Sequence, residues 1–451
     1  MHLILGAATT YRLEMDRPAA PQAAPPSPQA AEAPQAPPAP APKPAPAPPP
    51  ARPEVECLQA YSAPLEGRRG MLRLDFNENT VGPSPKVVQA IRAMPAEHFA
   101  IYPEYDGLQA AVAASLLRTS GLGTSGLDAG PGGLEPQHIG LFNGVDAALH
   151  AVFQAYGAPG DRLLTTSPTF GYYSPCARMQ GMAIEAIPYR QNDFAFPFEA
   201  IRAALTKGDA ALDSESQPWA PPRLLLICNP NNPTGTRLAP ERILELAAAA
   251  PATLVVVDEL YEAFSGDSVL PLLLAGAGGA ESARAPGAQA PGAADPFAAF
   301  PNLLVLRSLS KTAGLAGLRI GFAIGHPAVV DRVGRVTGPY DINSFAVTAA
   351  YAALDDQAYV DDLVAEVLAA KALLQQRLTA AGWRHQGEGG NYLLLWPRAR
   401  GAAAVEQRLR DAGILVRSMA GKPLIDGSLR VSIGTRAQME QFWSAWQRAD
   451  S

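Results

Sequence analysis

The stretch Ser308-Leu-Ser-Lys-Thr-Ala-Gly-Leu-Ala-Gly-Leu-Arg319 brings together residue types that could act on one ligand. Lys311 lies at a turn after the apolar run 302–306, which predicts a buried strand. A lysine there is either a solvated charge or a partly desolvated amine that forms a Schiff base with a carbonyl. Ser308 and Ser310 offer hydroxyls and Arg319 a forked cation, the donors a phosphate group takes.

Other predicted strand ends carry groups of matching chemistry. Strand 139–142 runs into Asn143-Gly-Val-Asp146 ahead of a helix, whose first N–H groups (Val145, Asp146) suit a phosphate. Strand 162–166 ends in Ser167-Pro-Thr-Phe170, strand 223–228 in Asn229-Pro-Asn-Asn-Pro-Thr-Gly235, and strand 253–257 in Asp258-Glu-Leu-Tyr261. Asn-Pro and Pro-Thr-Gly are also ordinary turn chemistry, and a strand-end Asp is often a helix cap. Their convergence on five strand ends favours a site, because open α/β sheets bind ligands at that edge. A pyridine ring used as an electron sink needs a carboxylate at its nitrogen, and Asp258 suits this. Asn232 and Tyr261 could bond a ring oxygen, Phe170 could cover a ring face, and Lys311 could take an aldehyde.

These groups need a scaffold. The further apolar runs 183–188 and 319–324 complete a set separated by helical patterns at 147–156, 172–180, 198–205 and 240–249. Continuous apolar strands alternating with helices predict an α/β fold, a mostly parallel sheet covered by helices on both faces. After residue 337 one long helix is expected over about 343–381. Short strands at 391–396, 414–418 and 429–433 and a closing helix at 437–448 follow, forming a smaller α+β domain. The expected organisation is a disordered Pro/Ala-rich tail (1–56), an arm (57–85), a large domain (86–336) and a small domain (337–451). Surface insertions are expected at 207–222 and 275–297.

The chain has 451 residues, 48% of them hydrophobic, and a net charge of −6, which argues against a polyanion-binding surface. Three widely spaced cysteines imply neither disulfides nor a zinc site and read as core thiols in a reducing compartment. No apolar run reaches the roughly 18 residues of a membrane span, and a signal peptide is not expected. The six histidines do not cluster, and no metal is expected.

From about Tyr61 onward the chain resembles the fold type I pyridoxal-phosphate enzymes, most closely aminotransferases (class I/II) of the histidinol-phosphate type. The likeness rests on the Asn-Pro-Asn-Asn-Pro-Thr-Gly, Asp258-x-x-Tyr261 and Ser308-x-Ser-Lys-x-x-Gly-x-x-Gly-x-Arg319 motifs. It extends, in the same order, to Leu74-Asp-Phe-Asn-Glu-Asn79 with Gly82-Pro-Ser-Pro85, Tyr102-Pro, Pro168-Thr-Phe-Gly171, Asn343-Ser and Leu429-Arg-x-Ser-x-Gly-Thr435. The resemblance implies that Lys311 binds pyridoxal 5'-phosphate and moves the substrate's proton, and that Asp258 pairs with the ring nitrogen. It implies that Asn232 and Tyr261 bond the ring oxygen, Phe170 stacks, and Ser308, Ser310, Arg319, Val145 and Asp146 hold the phosphate. Tyr102 would reach the phosphate of a second subunit, so a homodimer is implied. Arg430 would grip a carboxylate or phosphate, Arg417 a second anion, and Asn391 would neighbour the substrate. The implied reaction exchanges an amino group with 2-oxoglutarate/glutamate, the expected donor being histidinol phosphate in histidine biosynthesis, in the cytoplasm. An aromatic amino acid, or decarboxylation of threonine phosphate, would use the same cofactor. A regulator with an aminotransferase-like domain would need a basic helix-turn-helix, and the Pro/Ala tail is not one. Two departures bear on substrate identity: Phe170 stands where tyrosine is common, and Thr337-Gly-Pro-Tyr-Asp341 replaces an Arg-Pro-Pro run.

Overall fold

The computed structural model describes residues 48–59, 66–105, 107–120, 133–206, 220–282 and 295–451. Most of the Pro/Ala tail and of both expected insertions lies outside the described residues. A helical turn α1 (Pro53–Glu56) and a short strand β1 (Leu72–Arg73) precede helices α2 (Pro85–Arg92) and α3 (Leu108–Thr119). An alternating body follows: β2 (Ile139–Phe142), α4 (Val145–Tyr156), β3 (Arg162–Ser167), α5 (Tyr173–Met179), β4 (Ala183–Pro188), α6 (Phe198–Thr206) and β5 (Leu224–Cys228). It continues through α7 (Pro240–Ala249), β6 (Leu254–Asp258), α8 (Leu270–Ser282), β7 (Leu303–Ser308), β8 (Gly321–Gly325) and α9 (Pro327–Gly334). Two helices, α10 (Ser344–Leu354) and α11 (Gln357–Ala380), lead to β9 (His385–Gln386), β10 (Tyr392–Leu395), α12 (Ala402–Asp411), β11 (Ile414–Leu415), β12 (Arg417–Ser418), β13 (Leu429–Ser432) and α13 (Arg436–Ala449).

Among the described residues seven strands form the main sheet in the order β2-β8-β7-β6-β5-β3-β4. Strands β3 to β7 pair in parallel, whereas β8 runs antiparallel to both β7 and β2. The sequence dictates this burial: β5 reads Leu-Leu-Leu-Ile-Cys, β6 reads Leu-Val-Val-Val-Asp, and every residue of both is buried. Strands with no polar face must be covered on both sides. One side packs Leu149, Val152, Phe153 and Val333; the other packs Val112, Ile201, Ile243 and Ala350. A separate core gathers Leu363, Leu374, Leu393, Leu409, Phe442 and Trp446 around an antiparallel sheet in the order β12-β13-β10-β9.

Several expectations need correction. The long helix is two helices, broken at Asp355–Asp356, where Asp356 turns to meet Lys86 at 2.9 Å. The expected boundary at residue 337 falls before α10, whose buried face belongs to the core that contains α3. The strand expected over 414–418 is interrupted into β11 and β12, which join different sheets. The second insertion begins as part of α8, and Phe297 at its far end is fully buried. The stretch 53–56 of the expected tail is helical, and Cys57 is exposed rather than a core thiol; Cys176 and Cys228 are buried. The arm strand β1 pairs in parallel with β11, and Leu74 N–H donates to Leu415 O at 2.8 Å.

Parallel pairing brings the ends of β3, β5, β6 and β7 to one edge of the sheet, and β2, antiparallel to β8 as β7 is, ends there too. Antiparallel β8 begins at that edge, so Arg319, just before it, arrives beside them. An ion cluster fixes the two central ends. Arg307 on β7 reaches Glu259, just after β6, at 2.9 Å, and also Glu262 at 2.6 Å. The Glu259 side chain is fully buried and further accepts the Ser268 hydroxyl and Val269 N–H. The immediate chain neighbours of Asp258 and Ser308 are therefore tied together. Arg307→Met would leave Glu259 buried without its cation and should cost about 3–5 kcal/mol in a urea unfolding titration. A loss below about 1 kcal/mol, the scale of exposed pairs, would show that the cluster does not hold these strand ends.

Candidate active site

A cavity of about 390 Å³ opens at that edge, and most of the expected site residues line it. Lys311 enters from the loop after β7. Its Nζ donates to Phe76 O at 2.9 Å. Burial, then the positive charge of Arg430, lowers its pKa to about 8, against the opposing pull of Glu78 and Asp146. Neutral amine is thereby accessible near neutral pH, which nucleophilic addition to a carbonyl requires. Asp258 ends β6, almost fully buried. Burial raises its carboxyl to about 6, although the Tyr173 hydroxyl donates to Oδ2 at 2.6 Å and Leu260 N–H to Oδ1 at 3.2 Å. Among the described residues no cation bonds this carboxylate, so a cationic N–H from a ligand in the cavity would suit it.

Asn232 and Tyr261 lie beside them. Arg430 Nη1 donates to Asn232 Oδ1 at 2.7 Å, which fixes the amide so that Nδ2 faces Tyr261 OH at 3.3 Å. Asn77 Nδ2 donates to the same phenol oxygen at 3.1 Å. With two donors on its oxygen, Tyr261 keeps its own hydrogen for an acceptor elsewhere. Phe170 meets Tyr173 edge-on at 5.4 Å, its ring forming part of the wall.

One corner is built for an anion. Helix α4 starts at Val145 after Gly144, which supplies no side-chain cap, so its first N–H groups are available. Gly144 has φ of 82°, and a Cβ there would stand 2.6 Å from Arg319 Nη2. Only glycine allows that approach. Arg319 itself adopts φ of 59°, in the left-handed region where a residue with a Cβ is strained. It is held by Asp146 at 2.9 Å. Ser308 and Ser310 exchange a hydrogen bond of 2.7 Å across the corner.

Arg417 and Arg430 reach the cavity from β12 and β13. Arg430 also donates to Asp75 O at 2.6 Å. Two expected residues do not line it. Asn391 is buried behind the arm, where its Nδ2 donates to Asn77 O at 3.2 Å. Tyr102 is 69% exposed and stacks on Tyr340 at 3.9 Å. Residues missed in the sequence are Phe76, Glu78, Met419 and Lys422 in the wall and Tyr173 and Asn77 behind it. Asn77 and Glu78 carried a signal, the Asn-Glu-Asn run of the arm; Tyr173 carried only its place three residues after Phe170.

A low pKa alone would not have identified the lysine. Lys371 on α11 is more strongly shifted, to about 7, by burial and then Arg237. It donates to the carbonyls of Glu388, Gly389 and Gly390 and lines no part of the cavity. A larger cavity of about 820 Å³, beside α3 and α11, contains neither Lys311 nor Asp258. In competitive acetylation of cofactor-free protein, Lys311 should become reactive through about pH 8, below the range of an ordinary lysine. Arg430→Met should move that midpoint upward, since it removes a nearby positive charge; an unchanged midpoint would refute the assigned cause.

The sequence matches the family described as aminotransferase class I and II over residues 69–445. A histidinol-phosphate aminotransferase of Roseiflexus castenholzii is 33% identical over 407 residues, covering 86% of this chain and 94% of the relative. Another, from Chromobacterium violaceum, is 30% identical and covers 88% and 97%. Among solved structures, histidinol-phosphate aminotransferase of Sinorhizobium meliloti in complex with pyridoxal-5'-phosphate has the same fold, with a TM-score of 0.69 at 22% identity, covering 88% of this chain and 97% of that one. Aspartate aminotransferase of Thermus thermophilus gives 0.62 at 23% identity, over 84% and 90%. The half-buried lysine after β7 and the buried aspartate that ends β6 thus stand in a chain that belongs to the class I and II aminotransferases, the pyridoxal-phosphate-dependent enzymes.

Proposed function

We propose that this chain transfers an amino group between histidinol phosphate and 2-oxoglutarate/glutamate, with pyridoxal 5'-phosphate bound in the 390 Å³ cavity. Two things support the donor: relatives about 30% identical over most of the chain bear that activity in their names, and Arg417 and Arg430 stand together in the cavity wall. The observation that carries the cofactor is Asp258, a buried carboxylate facing the cavity without a cation of its own.

The residues fit the group at each polar position. The α4 N-terminus, Ser308, Ser310 and Arg319 would hold its phosphate. Asp258, whose ionised form the Tyr173 hydroxyl favours against the effect of burial, would accept the ring N–H, and Asn232 Nδ2 and the Tyr261 hydroxyl would donate to the ring oxygen. Phe170 would cover a ring face, and Lys311 would hold the aldehyde carbon. When bound, the cofactor supplies an electron sink for the pair left at the donor's Cα. Lys311 Nζ, free once the incoming amine takes its place, would accept the proton from the donor's Cα and deliver it to the former aldehyde carbon, so that the donor leaves as a carbonyl compound. A pKa lowered to about 8 leaves part of the amine unprotonated near neutral pH and so able to accept a proton. Arg430 orients the donor while also fixing the Asn232 amide.

We further propose a homodimer in which Tyr102 of each chain completes the other's phosphate site. The exposed Phe99, Ile101, Tyr102, Tyr340 and Phe345 form the face to be covered. The small domain is taken to begin at α11, where apolar packing changes core. Among the described residues no helix is long and apolar enough to cross a membrane, and the cysteines are free, as in the cytoplasm.

Loaded protein should convert histidinol phosphate, with 2-oxoglutarate as acceptor, and Lys311→Ala should abolish turnover. Arg417→Ala should weaken histidinol phosphate by roughly tenfold or more and phenylalanine much less. Preference for phenylalanine, or carbon dioxide release from threonine phosphate, would overturn the donor. For the dimer, a chain with Lys311→Ala mixed with one carrying Tyr102→Ala should regain activity, since one composite site is then intact. No recovery would place Tyr102 in its own chain's site or in none.

A further inference from the structure

Lys422 belongs to none of the motifs, yet its side chain helps to wall the cavity. It sits in the loop from β12 to β13, and that loop is rigidly built. Met419 N–H donates to Ser428 O at 3.0 Å, Lys422 N–H to Met419 O at 3.1 Å, and Gly421 N–H to Asp426 Oδ1 at 2.8 Å. Met419 and Ile425 plug into a small apolar cluster with Phe194 and Leu394. The backbone that carries Lys422 is thus anchored, and its half-buried side chain lies against the cavity. It comes within 4.0 Å of where a Cβ on Gly171 would stand, next to Phe170.

The charges around it do not balance. Among the described residues no carboxylate or hydroxyl bonds the Lys422 ammonium. Asp426, the acid of its own loop, takes the Gly421 N–H instead. Arg417 is in the same position: its guanidinium lies over the Phe76 ring at 5.4 Å, with no hydrogen-bond partner among the described residues. Of the cavity's carboxylates, Glu78 is paired with Arg68 and Arg73 and Asp146 with Arg319, while Asp258, bonded by the Tyr173 hydroxyl, makes no bond to Lys422 or Arg417. Burial, then the charges of Arg430 and Arg417, lowers the pKa of Lys422, so these cations feel one another. Two partly desolvated, unanswered cations in one wall are unfavourable unless a ligand brings compensating charge.

A carboxylate carries one charge and is matched by the fork of a single arginine. A phosphate monoester carries nearly two charges and a third oxygen for a point cation. We propose that Lys422 is a specificity-determining residue which joins Arg417 in seating a dianion, and that it makes the seat prefer the phosphate of the amino donor to the side-chain carboxylate of glutamate. This rests on the donor reading above, but the seat can be tested without it.

The holoenzyme, in which the cofactor's own phosphate corner is filled, would be compared with Lys422→Met and Lys422→Arg. Single-turnover loss of the cofactor's visible band gives affinity and limiting rate for histidinol phosphate, histidinol and glutamate. Calorimetry gives the affinity for inorganic phosphate. Lys422→Met should weaken histidinol phosphate and inorganic phosphate by about tenfold or more, change glutamate and histidinol by less than about twofold, and leave the limiting rate intact. Lys422→Arg should restore most of the loss. Equal losses for all donors, or unchanged phosphate affinity, would overturn the proposal. If the wild-type enzyme ignores histidinol phosphate, the donor reading falls, and the calorimetric comparison still decides for or against the dianion seat.

Discussion

Burial of two opposite charges governs this protein. Asp258 and Lys311 occupy adjoining strand ends, and loss of water pushes the acid up to about 6 and the amine down to about 8. Each is driven toward its neutral form, which costs folding energy if the charge is kept. The rest of the fold must supply the stability to carry this cost. A ring N–H for the acid and a carbonyl for the amine would offset both costs at once.

The stiffness can be traced element by element. The Arg307–Glu259 cluster ties the residues next to Asp258 and Ser308, so the two central strand ends cannot shift independently. Strand β8, the reversed strand of the sheet, delivers Arg319 to the same edge from the opposite chain direction. The arm closes the top. Gly314, at φ of 73°, lets the Gly82–Pro83 backbone approach to where a Cβ would stand 2.6 Å away, and Asn79 Nδ2 donates to Thr312 O at 3.0 Å. Further along, Arg430 links Asn232, the arm carbonyl of Asp75 and the small antiparallel sheet. The arginine proposed to grip the substrate thus also fixes the amide proposed to donate to the ring oxygen.

Much of this was legible in the sequence, for a physical reason. Parallel strands buried on both faces leave unbroken apolar runs, and their ends must carry any chemistry, so Lys311, Asp258, Asn232 and Tyr261 could be named in advance. What escaped depends on contacts between distant elements. Tyr173 matters because α5 brings its hydroxyl to Asp258, and no local pattern records that. Lys422 looks like any loop lysine until Met419 and Ile425 are seen to anchor its backbone. Asn391, expected at the substrate, is taken up in holding Asn77. The break at Asp355–Asp356 was hidden because both flanks have helical sequences, and the contact that Asp356 makes at the turn is with a distant residue, Lys86.

Lys371 makes the sharpest contrast with Lys311. Both lysines have depressed pKa values, but Lys371 is buried and spent on three carbonyls, whereas Lys311 is half-buried and faces the cavity. Borohydride reduction of the protein loaded with pyridoxal phosphate, followed by peptide mass mapping, distinguishes them directly. The pyridoxyl group is expected on the peptide bearing Lys311 and, with Lys311→Ala, on none. Attachment at Lys371, or persistent specific labelling after Lys311→Ala, would contradict the assignment of Lys311 as the amine of the site.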